Sequence, residues 1–317
     1  MSATQAESAT VLRCRVCESS DCAIVGPPAH HLPTRVAGVP IDIANLPLRY
    51  VRCASCGYCF IDPPIPEQLL LDCYRRSTGE HWSTDDSVAV LRAYATKRDA
   101  IVRLAPGNRV LDFGCYDGGF LAYLGEGFVR CGIEPSTAAV QRAQARGIQI
   151  LATSLDEIQP QNVPPFDAIV IFDVMEHVLA PVSVLTRLAA LLNPGGIIVI
   201  ETGNTDAPAF ERLGPRYTYA AIVEHVGFFN QSSIREAGRR AGLKVLEFHK
   251  TRHTNYPGFS PIKNRLVNMV YGILRVLRKL RVPMGERYRN IAAGPVPRIL
   301  DLDDHFLAVL QRPGDSS

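Results

Sequence analysis

The chain has 317 residues, of which 47% are hydrophobic and 21% charged, with a net charge of +3 and nine cysteines. That length gives a soft prior of two domains, and the apolar share supports a sizeable core, which excludes disorder as a whole-chain state. The charge balance points to no nucleic-acid partner, no apolar run reaches the ~18 residues of a membrane span, and MSATQAESAT lacks the marks of a signal peptide, so a cytoplasmic protein with reduced cysteines is expected.

Residues 1–75 are rich in Cys, Pro and His and poor in periodic runs. Cys14-x-x-Cys17 and Cys53-x-x-Cys56 are separated by 35 residues. Two thiolates three residues apart on a knuckle take adjacent corners of a tetrahedron, so the four predict a closed structural zinc site that staples a segment too short to fold on its core alone. Gly57 suits the tight backbone after Cys56, Cys59 competes for the fourth corner, and Cys22 competes more weakly. Cys73, Cys115 and Cys131 read as small buried hydrophobes. Residues 76–104 continue a helical pattern begun at Glu67 and form a connector, with Val88, Leu91, Tyr94, Ile101 and Val102 at steps of three and four.

After Pro106-Gly107, short apolar runs alternate with amphipathic stretches. Strands are predicted at Arg109–Phe113, Val129–Ile133, Ile148–Leu151, Ala168–Phe172, Ile197–Glu201 and Leu243–Phe248. Helices are predicted at Gly118–Leu124, Thr137–Arg146, Val182–Leu192 and Ser232–Ala241. Such alternation implies an α/β, Rossmann-like, doubly wound and mostly parallel sheet across residues 105–312. Asn193-Pro194-Gly195-Gly196 is expected to be a turn, and His305–Leu310 an antiparallel edge strand beside Leu243–Phe248. Residues from about 251 to 303 then form an insertion.

The stretch from Asp112 through Gly114, Cys115, Asp117 and Gly118 runs from strand through a glycine turn into a helix, where free amides can meet a carboxylate or phosphate. Glu134 lies 20 residues past Gly114 at the end of the next strand, placed to accept two ribose hydroxyls. Position 116 is Tyr, so the second glycine of a dinucleotide fingerprint is missing.

Asp112-x-Gly114, Gly132-Ile133-Glu134-Pro135-Ser136, Phe166 through His177 and Leu192-Asn193-Pro194-Gly195-Gly196 together resemble the class I S-adenosylmethionine-dependent methyltransferases. The resemblance implies S-adenosyl-L-methionine as cofactor, with Ser154-Leu155-Asp156 where that family contacts adenine. It also puts Asp173 near the methionine end. The cysteine pairs together with Leu48-Arg49-Tyr50 and Tyr116-Asp117-Gly118 further resemble the sugar C-methyltransferases, which end the first motif in Asn-Asp-Gly. That family's Tyr-His-Glu-His motif aligns with Ile222-Val223-Glu224-His225, and its large C-terminal domain is missing here.

Methyl transfer needs an acceptor placed in line with the methyl and stripped of its proton, a task for a histidine. Two candidates follow strands at the carboxyl edge of the sheet, His177 with Glu176 and His225 with Glu224. His225 is expected to be the base, with Glu224 orienting it. The expected acceptor is a small molecule or a glycan-linked sugar. A zinc-ribbon RNA methyltransferase and a non-catalytic zinc and nucleoside binding module are the alternatives. Phe172-Asp173-Val174-Met175 replaces the Asn-Pro-Pro-Tyr type loop of base-N methylation and argues against the first.

Lys263 to Arg289 holds eight bases against the single acid Glu286, a net +7. Leu266, Val270, Ile273, Leu274, Leu277 and Leu280 share one helical face, with Arg275, Arg278 and Lys279 opposite. Such a helix can fold over its own domain, cover an acceptor site, pair with another helix or lie on an anionic membrane.

Overall fold

The computed structural model describes residues 12–30, 33–79, 88–252, 261–295 and 303–314. The N-terminal part runs β1 Cys22–Gly26, β2 Arg35–Val36, β3 Val39–Pro40, β4 Arg49–Cys53, β5 Cys59–Asp62, α1 Glu67–Arg76 and α2 Val88–Leu104. Next come β6 Arg109–Phe113, α3 Gly119–Leu124, β7 Val129–Ile133, α4 Thr137–Ala145, β8 Gln149–Ala152, β9 Phe166–Phe172, α5 Pro181–Ala190 and β10 Leu192–Gly203. The chain closes with α6 Pro208–Leu213, β11 Gly227–Phe228, α7 Gln231–Arg240, β12 Lys244–Thr251, α8 Pro261–Lys279, α9 Glu286–Ala293 and β13 His305–Gln311. The six predicted strands and four predicted helices of the body are present with ends shifted by at most two residues, apart from the strand at Ile197, which starts five residues earlier, and that at Leu243, which ends three residues later.

The central sheet has the order β12-β13-β10-β9-β6-β7-β8. β6 to β10 run parallel, and β13 runs antiparallel to both of its neighbours. Because successive side chains point to opposite faces, β6 sends Leu111 to one core and Val110 to the other. β9 does the same with Ile169 and Val170, and β10 with Ile198 and Val199. Both faces are apolar, as a sheet covered by helices on two sides requires.

Two sequence expectations are corrected here. β13 is not the edge strand: it inserts between β10 and β12, leaving β12 at the edge. The reason is legible in composition, since Phe306 to Leu310 are buried on both faces whereas β12 alternates with exposed polar residues. Asn193-Pro194-Gly195-Gly196 is not a separate turn but the irregular start of β10, where the register on β9 slips between Leu192 and Ile197. Gly195 takes φ +77° there.

The cysteine-bearing segment packs directly on the body. β5 pairs with β11, extending the small sheet β1-β4-β5-β11. Val16, Val51 and Phe60 join the same core as Leu111 and Ile169. Approach is close enough that a Cβ on Gly227 would lie 2.1 Å from the Tyr58 hydroxyl. His81 and Trp82, and the ends of the insertion at 253–260 and 296–302, lie outside the described residues.

Candidate functional site

The glycine turn follows β6. Gly114 has φ +85°, and its amide and that of Cys115 both donate to the Ile133 carbonyl of β7 (2.9 and 3.1 Å). A Cβ at Gly114 would lie 2.5 Å from Val174 Cγ2, so the turn is pressed against the segment after β9. Tyr116 also takes a left-handed conformation (φ 49°), and its amide donates to Glu134 Oε2 at 2.9 Å. The other Glu134 oxygen accepts from the Ser136 amide at 2.8 Å. Gly118, at φ +74°, caps α3, and Asp117 is buried in an ion pair with Arg146 (2.9 Å).

Two buried carboxylates therefore face one turn. Burial pushes the Asp112 carboxyl up to about 7, offset in part by Lys97 and reinforced by Glu134. Burial also raises Glu134 against the lowering effect of its two amide donors. Acids held in this way favour a ligand that brings a cation and hydroxyl donors. Cys115 and Leu155 are buried; the carboxylate of Asp156 is exposed and pairs with Arg187 at 2.5 Å. Asp173, at φ 54°, lies half exposed with Oδ1 3.7 Å from His305 Nε2.

The second group of residues gathers beyond the carboxyl ends of β9 and β10. Ligating atoms of Glu176, His177 and His225 all lie within 4.8 Å of one another, an arrangement that could hold a proton or a metal ion. His225 Nδ1 is 2.8 Å from the Tyr219 carbonyl, which fixes the proton on Nδ1 and leaves Nε2 as the acceptor. Burial, with His177 nearby, drives the His225 pKa well below the usual imidazole range. His177 Nδ1 lies 2.9 Å from the Tyr74 hydroxyl and 3.0 Å from the Glu224 carbonyl. Glu176 Oε2 accepts from Thr202 Oγ1 at 2.7 Å, and burial raises its pKa.

Glu224 does not orient His225. Its carboxylate accepts from the Ala37 amide at 3.3 Å, while the orienting contact comes from the Tyr219 backbone six residues upstream. The His225 amide donates to the Ile222 carbonyl (3.1 Å), so Glu224 sits within a tight turn whose adjacent side chains point apart. Tyr74, Thr202, Tyr219 and His305 were not singled out from sequence. Each belongs to a different element, and no local spacing marks them.

The four predicted zinc ligands come together. Cys14 Sγ is 3.6 Å from Cys56 Sγ and Cys17 Sγ is 3.5 Å from Cys53 Sγ, with all four sulfurs within 4.8 Å. A tetrahedral ion with bonds of about 2.3 Å separates its sulfurs by about 3.8 Å, so the set fits zinc. Cys59 turns instead to the Gly57 carbonyl and Cys22 to that of Ser19. The hydrogen bond from Cys56 lowers Cys14 to about 5.

The remaining contacts surround these centres. Lys97 on α2 forms a buried ion pair with Glu201 at the end of β10 and sits 4.1 Å above the Phe172 ring. Ser77 and Gly79 close over the glycine turn through Ser136 Oγ, which donates to the Ser77 carbonyl (3.0 Å), and the Tyr116 hydroxyl, which donates to that of Gly79.

Residues 89–248 match a family described as a methyltransferase domain. Among relatives, the ubiquinone biosynthesis O-methyltransferase of Xanthomonas axonopodis pv. citri is 31% identical over 199 residues, covering 56% of this chain and 81% of that protein. The enzyme of the same name from Paracidovorax citrulli is 32% identical over 161 residues, covering 45% and 67%. Among solved structures, magnesium protoporphyrin IX methyltransferase from Synechocystis PCC 6803 with bound SAH aligns at a TM-score of 0.47 and 15% identity, over 60% of this chain and 95% of that one.

Proposed function

The chain belongs to the class I S-adenosylmethionine-dependent methyltransferases, and from that premise we propose that it methylates a hydroxyl oxygen of a small-molecule acceptor, with His225 as general base. The observation that carries the role of His225 is its tautomer: Nδ1 is tied to the Tyr219 carbonyl and burial keeps the ring neutral, so Nε2 offers a lone pair at neutral pH. Bound S-adenosyl-L-methionine supplies a methyl group on a positively charged sulfur. Asp112 would meet the ammonium and Glu134 the ribose hydroxyls, while the amides of Cys115, Tyr116, Gly118 and Gly119 are taken up within the turn and its neighbours, so that Cys115 and Gly118 would shape the turn beside the methionine end. Asp117 would hold the turn through Arg146, Leu155 would pack on adenine beside Asp156, and Asp173 would line the methionine end.

His225 Nε2 takes the acceptor proton as the oxygen bonds to the methyl carbon and the carbon–sulfur bond breaks. His177, its ring 4.9 Å from that of His225, serves as the neighbouring acceptor along with Glu176. The names of the relatives support oxygen as the methylated atom. A second version, with a sugar or glycan-linked acceptor, is favoured by the cysteine unit and the Glu224-His225 pair. Labelled methyl donor offered to hydroxylated aromatics and to nucleotide sugars, with products assigned by NMR, tests both. An O-methylated product supports the first and a C-methylated sugar replaces it.

We also propose a structural zinc on Cys14, Cys17, Cys53 and Cys56. Its chemistry is to hold the knuckles of a unit at 1–75, joined by the connector at 76–104 to the cofactor-binding body at 105–312. Since β5 pairs with β11 two residues past His225, and the Ile61 amide donates to the Val226 carbonyl (3.1 Å), the knuckles also hold the segment that carries the base.

A further inference from the structure

Helix α8 turns its apolar side outward. At about 100° per residue, Ile262, Leu266, Met269, Ile273, Val276 and the following Leu280 fall within a stripe about 80° wide. Their exposures run from 52% to 74%. On the opposite side Tyr271 is buried, its hydroxyl donating to the Gly294 carbonyl (2.8 Å) and accepting from Arg216. An ordinary surface helix buries its apolar stripe and solvates its polar one. Here the apolar stripe is solvated along with Arg275, Arg278 and Lys279, while half-buried Val267, Leu274 and Leu277 lie on the side of Tyr271, and an exposed apolar face of that length marks an interaction surface.

The polar side is strongly cationic. Arg275, Arg278 and Lys279 join Arg212 and Arg216 around a cavity of about 770 Å³ between α8 and the α6 region, with no carboxylate among its lining residues. The segment from Lys263 to Arg289 carries a net +7. A second copy of the chain set stripe to stripe would bring two such segments together and repel. An anionic lipid surface supplies the opposite charge along with an apolar layer for the stripe. Among the described residues no helix is long and apolar enough to cross a membrane, so a helix of this kind lies along the surface.

We propose that α8 docks the enzyme on anionic phospholipid, the stripe entering the boundary between headgroups and acyl chains while the cationic side attracts the surface charge. Docking would bring the body, through α6, against the membrane and suits an acceptor that partitions into lipid. The proposal does not depend on which atom is methylated.

The test is co-sedimentation of the full chain with vesicles of phosphatidylcholine alone or with about one-third phosphatidylglycerol. Binding is expected to the anionic vesicles, weakening as salt rises. Each cation near the surface contributes about five-fold, so Arg278→Gln with Lys279→Gln should weaken binding about 30-fold. Ile273→Asp should weaken it at least about ten-fold, because a charge cannot enter the apolar layer. These side chains are exposed and outside the cofactor site, so far-UV circular dichroism and cofactor affinity should not change. Failure of the wild-type chain to bind anionic vesicles overturns the proposal, as does binding indifferent to Ile273→Asp. Self-association in sedimentation velocity that Ile273→Asp abolishes would assign the stripe to a second copy and overturn it too.

Discussion

Replacing Lys97 by Met removes a cation from a site that water hardly reaches. Side-chain exposures of 8% for Lys97 and 11% for Glu201 put both charges in the interior, where the pair is sustained by mutual attraction and by the Phe172 ring 4.1 Å from Nζ. Deleting one partner of a buried pair strands the other, a loss of about 3–5 kcal/mol. For a chain of this size that corresponds to a fall in Tm of roughly 10 °C. Thermal and urea unfolding followed by far-UV circular dichroism measure the loss. Lys97→Met combined with Glu201→Leu should recover most of it, because an apolar pair of similar volume removes the stranded charge. The consequence reaches the site: the Glu201 carbonyl accepts from the Asp173 amide at 3.0 Å, so the single variant should also weaken cofactor binding. A single variant within about 1 kcal/mol of wild type, or a double variant no better than the single, would refute the assignment of this pair as buried and coupled.

Other consequences are open to simpler measurements. Because Asp112 titrates near 7 in the free chain and its charged form is the one a cation favours, affinity for S-adenosylhomocysteine should fall as pH drops below about 7, by up to ten-fold per unit. Calorimetry should show that slope in wild type and none in Asp112→Asn. Gly114→Ala adds a Cβ at φ +85° and 2.5 Å from Val174 Cγ2; the left-handed strain alone is about 1 kcal/mol, and cofactor affinity should drop about ten-fold or more. Val174→Ala in the same chain should restore part of it. Elemental analysis should find one zinc per chain, lost in Cys14→Ser or Cys56→Ser and retained in Cys22→Ser and Cys59→Ser, whose sulfurs face backbone carbonyls. Retention of zinc by Cys56→Ser would dismiss the four-sulfur site.

The features legible in the sequence are those in which chemistry is local. The glycine turn and Glu134 lie one strand apart, and their order along the chain is enough to bring them together because parallel strands at adjacent positions share an edge. The cysteine pairs are equally local, and the spacing within each knuckle dictates where its two sulfurs go. His225 is another matter. Its partner Tyr219 comes from a short helical turn, its neighbour His177 from the segment after β9, and Tyr74 from α1. Such meetings depend on tertiary packing that no period of two or 3.6 encodes. The motif resemblance pairs Glu224 with His225, whereas the backbone turns the Glu224 carboxylate toward the Ala37 amide. The place of β13 was half visible: its apolar run announced a strand, but only burial on both faces explains why it lies inside β12 and not outside it. In the insertion, the sequence gives the amphipathic period and the charge, whereas the direction in which the apolar face points is a property of how Tyr271 is anchored.

The central claim is that a neutral, buried histidine removes the acceptor proton. It is tested most directly by His225→Ala, assayed for turnover with the acceptor found in the labelled-methyl screen and for cofactor affinity by calorimetry in the same preparation. The kcat is expected to fall by about 100-fold or more, with the dissociation constant for S-adenosylhomocysteine essentially unchanged. Near-normal turnover in that variant would contradict it.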